Sequence, residues 1–288
     1  MKVTPSNASL HATVTDIDLG VPLSRPDLHA VEAALAKHGV LSFPGQQLTP
    51  QPFKSFSAQF GELEFNVANK FHEPGMPEMM ILSNMIRDNQ PVGMADAGQG
   101  WHTDLSYQKV IGYATILYGL KIPHRDGKPL GSTEFCNMHA AYEGLPEQMK
   151  SMLEGMTVLH DFAKFWDMMR LEKGSSRQEL SAAQRAARPP SSHPIFLTHP
   201  LTKRKVLYAN AGYSMRINEL SPSESDRVLD YLFKHQIHEQ YKYAHAWRVG
   251  DVLMWDNFGT IHNAVADYLP SEHRLLKRCQ VAGSRFFQ

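Results

Sequence analysis

The chain has 288 residues, 42% of them hydrophobic and 20% charged, with 29 Lys plus Arg balanced by 29 Asp plus Glu. That length can bury a sizeable core, and the balance gives no global attraction to nucleic acid or an anionic membrane. Its two cysteines, Cys136 and Cys279, form neither a CxxC pair nor a zinc-ligand spacing. The opening MKVTPSNASL lacks the apolar stretch of a signal peptide, and IGYATILYGL at 111–120 is too short to span a bilayer. Together these features lead to the expectation of a soluble cytoplasmic protein that binds neither nucleic acid nor membrane.

In chain order, residues 11–20 read as a strand ending in a turn at Gly20, and 27–39 as an amphipathic helix stopped by glycine. VLSFPG at 40–45 is a short buried strand. Residues 49–61 form a helix with Thr49 as its cap. MMILSNM at 79–85 is a further strand, and 87–100 is a Gly- and Pro-containing loop leading into WHTDLSYQ at 101–108. GYATILYGLKIP at 112–123 is a core strand, and 132–146 starts extended and turns helical. The polar, charged stretch 161–194 reads as an insertion of broken helix and loop. IFLTHP and KVLYAN resume the strands. Residues 221–239 form a helix capped by Ser221 or Ser223, and short strands fill the remainder. No repeat and no nucleotide-binding glycine motif occurs. Many short strands without regular crossover helices predict one mostly-β domain over 1–288, a sandwich or jelly roll with flanking helices.

WHTDLSYQ raises the chemical question. On a strand, residues two apart share a face, so His102 and Asp104 would point together. A lone His-x-Asp is weak evidence, and the chain has a second one, His124-Arg125-Asp126, in a turn-forming context that predicts a solvated hairpin. An iron(II) site of the facial-triad type needs one further histidine. His262, in WDNFGTIHNAVADY, is the candidate, although a hydrogen-bonded core histidine would look the same. RLLKR at 274–278 reads as a strand with Arg274, Leu276 and Arg278 on one face. Two guanidinium groups side by side suit carboxylates, whose geometry their planar forks match. Solvent-facing arginines are the bland alternative.

The blocks WHTDLSYQ, GSTEFCNMHAAYEGLP, WRVGDVLMWDNFGTIH and ADYLPSEHRLLKR, with FGELE at 60–64, resemble the TauD/TfdA family of iron(II)- and 2-oxoglutarate-dependent dioxygenases. They stand in that family's order and spacing, and look most similar to its 2,4-dichlorophenoxyacetate-cleaving branch. The resemblance implies a double-stranded β-helix, with Fe(II), 2-oxoglutarate and O2 as cofactor and cosubstrates. It implies iron on His102, Asp104 and His262. It also implies 2-oxoglutarate held by Arg274 and Thr133, and Arg278 on the anionic group of the prime substrate; Trp255 is expected to pack beside that cosubstrate or the histidine ligands. The family reaction hydroxylates a small anionic organic molecule, sometimes cleaving it, and releases succinate and CO2. Family members commonly form dimers or tetramers, so a homo-oligomer is expected. Where the taurine branch has His and Tyr, FGELEFNVAN offers Asn66 and Asn69. That favours a carboxylate such as an aryloxyalkanoate over an alkyl sulfonate or phosphonate, which stand as the alternative. Tyr107, Phe162 and Phe258 are candidates for an aromatic substrate wall, and Asn84 for the floor of the site.

Overall fold

In a computed structural model describing residues 1–65, 71–173, 175 and 177–287, the apolar run Gly112–Lys121 is an inner strand of an eight-stranded sheet. Its first eight residues are all buried, because the sheet is covered on both faces there; this is why the segment does not alternate apolar with polar. Across the sheet the order is Lys2–Pro5, Ala12–Thr15, Val40–Phe43, Val252–Asp256, Gly112–Lys121, Leu275–Ala282, Met76–Ser83 and His72–Glu73. Neighbours are antiparallel except Ala12–Thr15 against Val40–Phe43.

A three-stranded sheet, Lys242–His245, Thr133–Asn137 and Thr260–Ala264, carries one of the two candidate histidines. Helix Arg25–His38 starts at Ser24, whose hydroxyl accepts from the Asp27 amide, and it packs Val31 and Leu35 into the core. Helix Pro50–Ala58 buries Phe53 and Phe56. Thr49 has the backbone conformation of a cap there, but its hydroxyl makes no capping bond; the proline in the first turn sets the helix start instead. Helix Pro222–His235 starts at Ser221, whose amide donates to Glu224.

Three local readings are refined by the structure. The 161–194 stretch contains a full helix, Phe162–Glu172, and a short one, Ala182–Ala186. Its last four residues are not loop: Ser191–Pro194 pairs with Thr157–His160, which pairs in turn with Ser214–Ile217. Arg274 lies just before its strand, which runs Leu275–Ala282 with a register irregularity at Leu275/Leu276, so the arginines do not share an unbroken strand face. The second His-x-Asp is the exposed hairpin His124–Arg125 with Lys128–Pro129, and Asp126 and Gly127 both take positive φ at its tip.

Candidate active site

His102 does not lie in a regular strand. It makes a single antiparallel bridge to His262: the His102 amide donates to the His262 carbonyl at 3.0 Å, and the His262 amide returns the bond at 2.7 Å. The two imidazoles therefore sit side by side, centroids 4.2 Å apart. After Asp104 the chain turns sharply through Leu105 at φ 62° toward the strand that carries Thr115. Two glycines make room. A Cβ at Gly112 would lie 2.7 Å from the Leu105 side chain, and one at Gly212 would lie 2.7 Å from His102 Cβ. His102 and Asp104 do point together, as expected, but from a single bridge and the turn that follows it rather than from a strand.

His102, Asp104 and His262 are all buried, and one ligand atom from each lies within 4.8 Å of the others. His102 Nε2 is 3.7 Å from Asp104 Oδ1, and His262 Nε2 is 3.8 Å from Asp104 Oδ2. An ion with bonds of roughly 2.1 Å spans such gaps. His102 Nδ1 sits 2.7 Å from the Gly100 carbonyl; this bond requires a proton on Nδ1 and leaves the Nε2 lone pair free for a metal. Thr115 Oγ1 donates to Asp104 Oδ2 at 2.8 Å. Burial alone would push the Asp104 carboxyl up, but its surroundings, the Arg278 guanidinium among them, hold it well below the usual carboxylate range. Burial and the neighbouring His102 push the His262 imidazole down to about 3, so it is neutral. Two imidazoles and one carboxylate converge on one point. The donor set fits a divalent iron and leaves its other side open.

Two cavities meet at this point. The smaller, about 340 Å³, is lined by Thr133, Trp255, His262, Arg274 and Arg278 among others. Arg274 is only 6% exposed. Its Nη2 donates to the Gly131 carbonyl at 3.2 Å and its Nε has no partner. Burial lowers its pKa, and Tyr268 and Asp267 offset that. Gly131, at φ 72°, is pressed against this guanidinium: a Cβ there would be 2.9 Å from Nε. The Thr133 hydroxyl accepts from Trp247 Nε1 at 3.0 Å, which leaves its own proton free to donate. The Trp255 ring lies 4.7 Å from the His262 ring.

The larger cleft, about 780 Å³, is lined by Tyr107, Phe162, Phe165, Trp166, Tyr213 and several charged groups, with His102 and Asp104 at its inner end. Arg278 borders both cavities. Its Nη1 is 3.9 Å from Asp104 Oδ1, its Nη2 lies 3.0 Å from the Met80 sulfur, and its Nε makes no hydrogen bond.

Residues 2–280 match the family model described as taurine catabolism dioxygenase TauD, TfdA family. The chain belongs to this family. It is 31% identical over 284 residues to the alpha-ketoglutarate-dependent 2,4-dichlorophenoxyacetate dioxygenase of Cupriavidus pinatubonensis, covering 95% of both chains. It is 29% identical to pentalenolactone F synthase of Streptomyces arenae, covering 96% of this chain and 94% of that one. Among solved structures it is similar to AAD-2 in complex with Mn(II) and N-oxalylglycine, with a TM-score of 0.79 and 25% identity over 98% of this chain and 97% of that one.

This TauD/TfdA-family chain is therefore an Fe(II)- and 2-oxoglutarate-dependent dioxygenase with a His102–Asp104–His262 facial triad, and its mixed β-sheet core with flanking helices is the fold of that family. No described helix is long and apolar enough to cross a membrane. Tyr107 and Phe162 line the cleft, in edge contact at 4.9 Å. Phe258 does not: it is 1% exposed and packs against Tyr113, Phe286 and Phe287 in the core. Asn84 lines neither cavity. Its Oδ1 accepts from the Arg274 amide at 2.8 Å and its Nδ2 donates to the Glu272 carbonyl at 3.1 Å, so it fixes the backbone that carries Arg274. Asn66 and Asn69 lie outside the described residues.

Sequence reasoning missed Thr115, Trp247, Phe165 and Tyr213. Thr115 left a signal, a lone hydroxyl inside the apolar GYATILYGL. Phe165 packs its ring 4.6 Å from His102 and Tyr213 lies at 6.0 Å, but both read in sequence as ordinary core aromatics.

Proposed function

We propose that the prime substrate is a carboxylate with an apolar or aromatic body, an aryloxyalkanoate being the type, and that Arg278 holds its anionic group. The observation that carries this reading is the state of Arg278: a largely buried guanidinium at the junction of the two cavities whose nearest carboxylate is 3.9 Å away. A buried cation so weakly paired is stabilised by an incoming anion. The wall of Tyr107, Phe162 and Phe165 suits an apolar body, whose burial contributes roughly 25 cal/mol per Å². The 2,4-dichlorophenoxyacetate named for the Cupriavidus relative has this chemistry.

In this reading Arg274 and Thr133 bind the distal carboxylate of 2-oxoglutarate, supported by the free Arg274 Nε and the free Thr133 proton. Trp255 and His262 wall the same cavity. Bound iron supplies oxygen activation coupled to decarboxylation of 2-oxoglutarate and hydroxylation of the substrate. The chain's residues orient and exclude water. The Gly100 carbonyl holds His102 in its ligating tautomer and Thr115 fixes Asp104. Phe165 closes over the His102 ring, and Arg278 aligns the substrate so that one carbon faces the triad. A cytoplasmic location and a homo-oligomer of two or four copies belong to the same reading; two free, buried cysteines support the former.

A matched pair, an aryloxyalkanoate and its methyl ester, tests the assignment. The acid is turned over and the ester is not. Equal turnover of both removes Arg278 as a reader of anions, and turnover of an alkyl sulfonate alone replaces the carboxylate with the sulfonate alternative.

A further inference from the structure

The 161–194 stretch brings cations to the outer part of the large cleft, and they are not equivalent. Arg177 is neutralised: its Nε and Nη2 grip Asp96 at 2.8 and 3.1 Å, and Ser175 donates to the same carboxylate. Arg185, which does not line that cleft, lies 3.3 Å from Asp167. Arg188 is different. Its guanidinium sits over one ring, with Cζ 4.6 Å from the Phe162 centroid, and among the described residues it forms no ion pair. It nevertheless lines the cleft. Glu64, also on that cleft, accepts a hydrogen bond from Gln108 Nε2 at 3.3 Å.

Tyr107 links Arg188 to the reaction centre. Its ring stacks edge-on against Phe162, the same ring that supports Arg188, and Asp104, Arg188 and Arg278 all act electrostatically on its hydroxyl. Burial raises the phenol's pKa, so it stays protonated and remains a donor. The cleft thus has two cations with different neighbours on one aromatic wall: Arg278 beside Asp104 and Arg188 on Phe162.

We propose that Arg188 is a specificity-determining residue for the prime substrate: it reads a second anionic group on the end of the molecule remote from the reacting carbon. The cleft then selects an aromatic dianion over the corresponding monoanion. The contact with Phe162 restrains a guanidinium that already borders the cleft, so less side-chain freedom is lost when it meets an anion. This inference rests on the aryloxy-acid reading above, but it concerns a different arginine and a different end of the ligand.

Calorimetric binding to the metal- and 2-oxoglutarate-loaded protein without oxygen tests it, with phenoxyacetate and 4-carboxyphenoxyacetate as probes. The wild type should bind the diacid about tenfold more tightly than the monoacid. Arg188→Gln should weaken the diacid much more than the monoacid, bringing the two within about twofold of each other, and Arg188→Lys should keep part of the preference. Equal wild-type affinity for the two probes overturns the proposal. So does an Arg188→Gln variant that weakens both equally, which would mean that Arg188 only packs the insertion against Phe162. Failure of the carboxylate reading is separate: it appears as equal turnover of acid and ester, whatever the diacid preference.

Discussion

Thr115→Val removes one hydroxyl and almost no volume. Thr115 is fully buried, donates to Asp104 Oδ2 at 2.8 Å and accepts from Asn257 Nδ2 at 3.1 Å. A hydrogen bond to a charged group is worth about 1.5–3 kcal/mol, so the metal-free protein should lose roughly that much stability. Asp104 stays ionised at neutral pH in the variant, because the neighbouring Arg278 guanidinium still favours the carboxylate. The bond is present with and without metal, so most of its energy cancels in metal binding. What does not cancel is orientation: Asp104 must then be ordered by the ion itself. Outer partners of this kind cost about 10- to 100-fold in metal affinity when removed. The assay is titration with Mn(II) or anaerobic Fe(II), alongside urea unfolding of the metal-free protein. Thr115→Ser, which keeps the hydroxyl, should recover most of the affinity. Wild-type metal affinity in Thr115→Val, in the presence of the stability loss, would refute the reasoning.

Asp104→Ala should abolish succinate release and weaken metal binding, whereas changing His124 and Asp126 together to Ala should leave kcat within about twofold, since both side chains are exposed and line neither cavity; full activity in Asp104→Ala excludes the triad. Arg274→Lys keeps the charge but not the fork, and should raise the Kd for 2-oxoglutarate by about tenfold, measured by anaerobic titration; an unchanged Kd counts against the role given to Arg274. Burial pushes His139 down to about 4 and His160 down to about 3. Their folded pKa values lie below the unfolded one, so their contribution to stability is present above about pH 6.5 and is lost as the pH falls toward those values. Each contributes a slope of up to about 1.4 kcal/mol per pH unit in that window, read as the urea midpoint of the metal-free protein. A midpoint that does not move between pH 7 and pH 5 contradicts this.

The elements that were legible in the sequence are those whose pattern is local. The helix Arg25–His38 has Ser24 in front and Gly39 behind, and the strand Gly112–Lys121 is a plain apolar run. The decoy His-x-Asp was legible for the same reason: Asp126-Gly127 is a turn whatever surrounds it. The triad was legible only through the order of its motifs, because His102 and His262 lie 160 positions apart in the chain and meet through one bridge. Asn84 was misread because its contact, the Arg274 amide, is equally remote in sequence. Phe258 was misread because a core aromatic and a wall aromatic have the same local pattern. The grip of Thr115 on Asp104 depends on the turn at Leu105, and nothing in WHTDLSYQ marks a residue that must adopt positive φ.

The central claim, a 2-oxoglutarate-dependent oxygenase working on the His102–Asp104–His262 centre, is tested most directly by succinate release. Purified iron-loaded protein is incubated with 2-oxoglutarate, oxygen and a panel of aryloxyalkanoates, other carboxylates, sulfonates and phosphonates. The account predicts that at least one aryloxyalkanoate raises succinate well above the level without substrate, in equal molar amount to oxidised product, and that Asp104→Ala removes the signal. Succinate at the Asp104→Ala background with every member of the panel would contradict it.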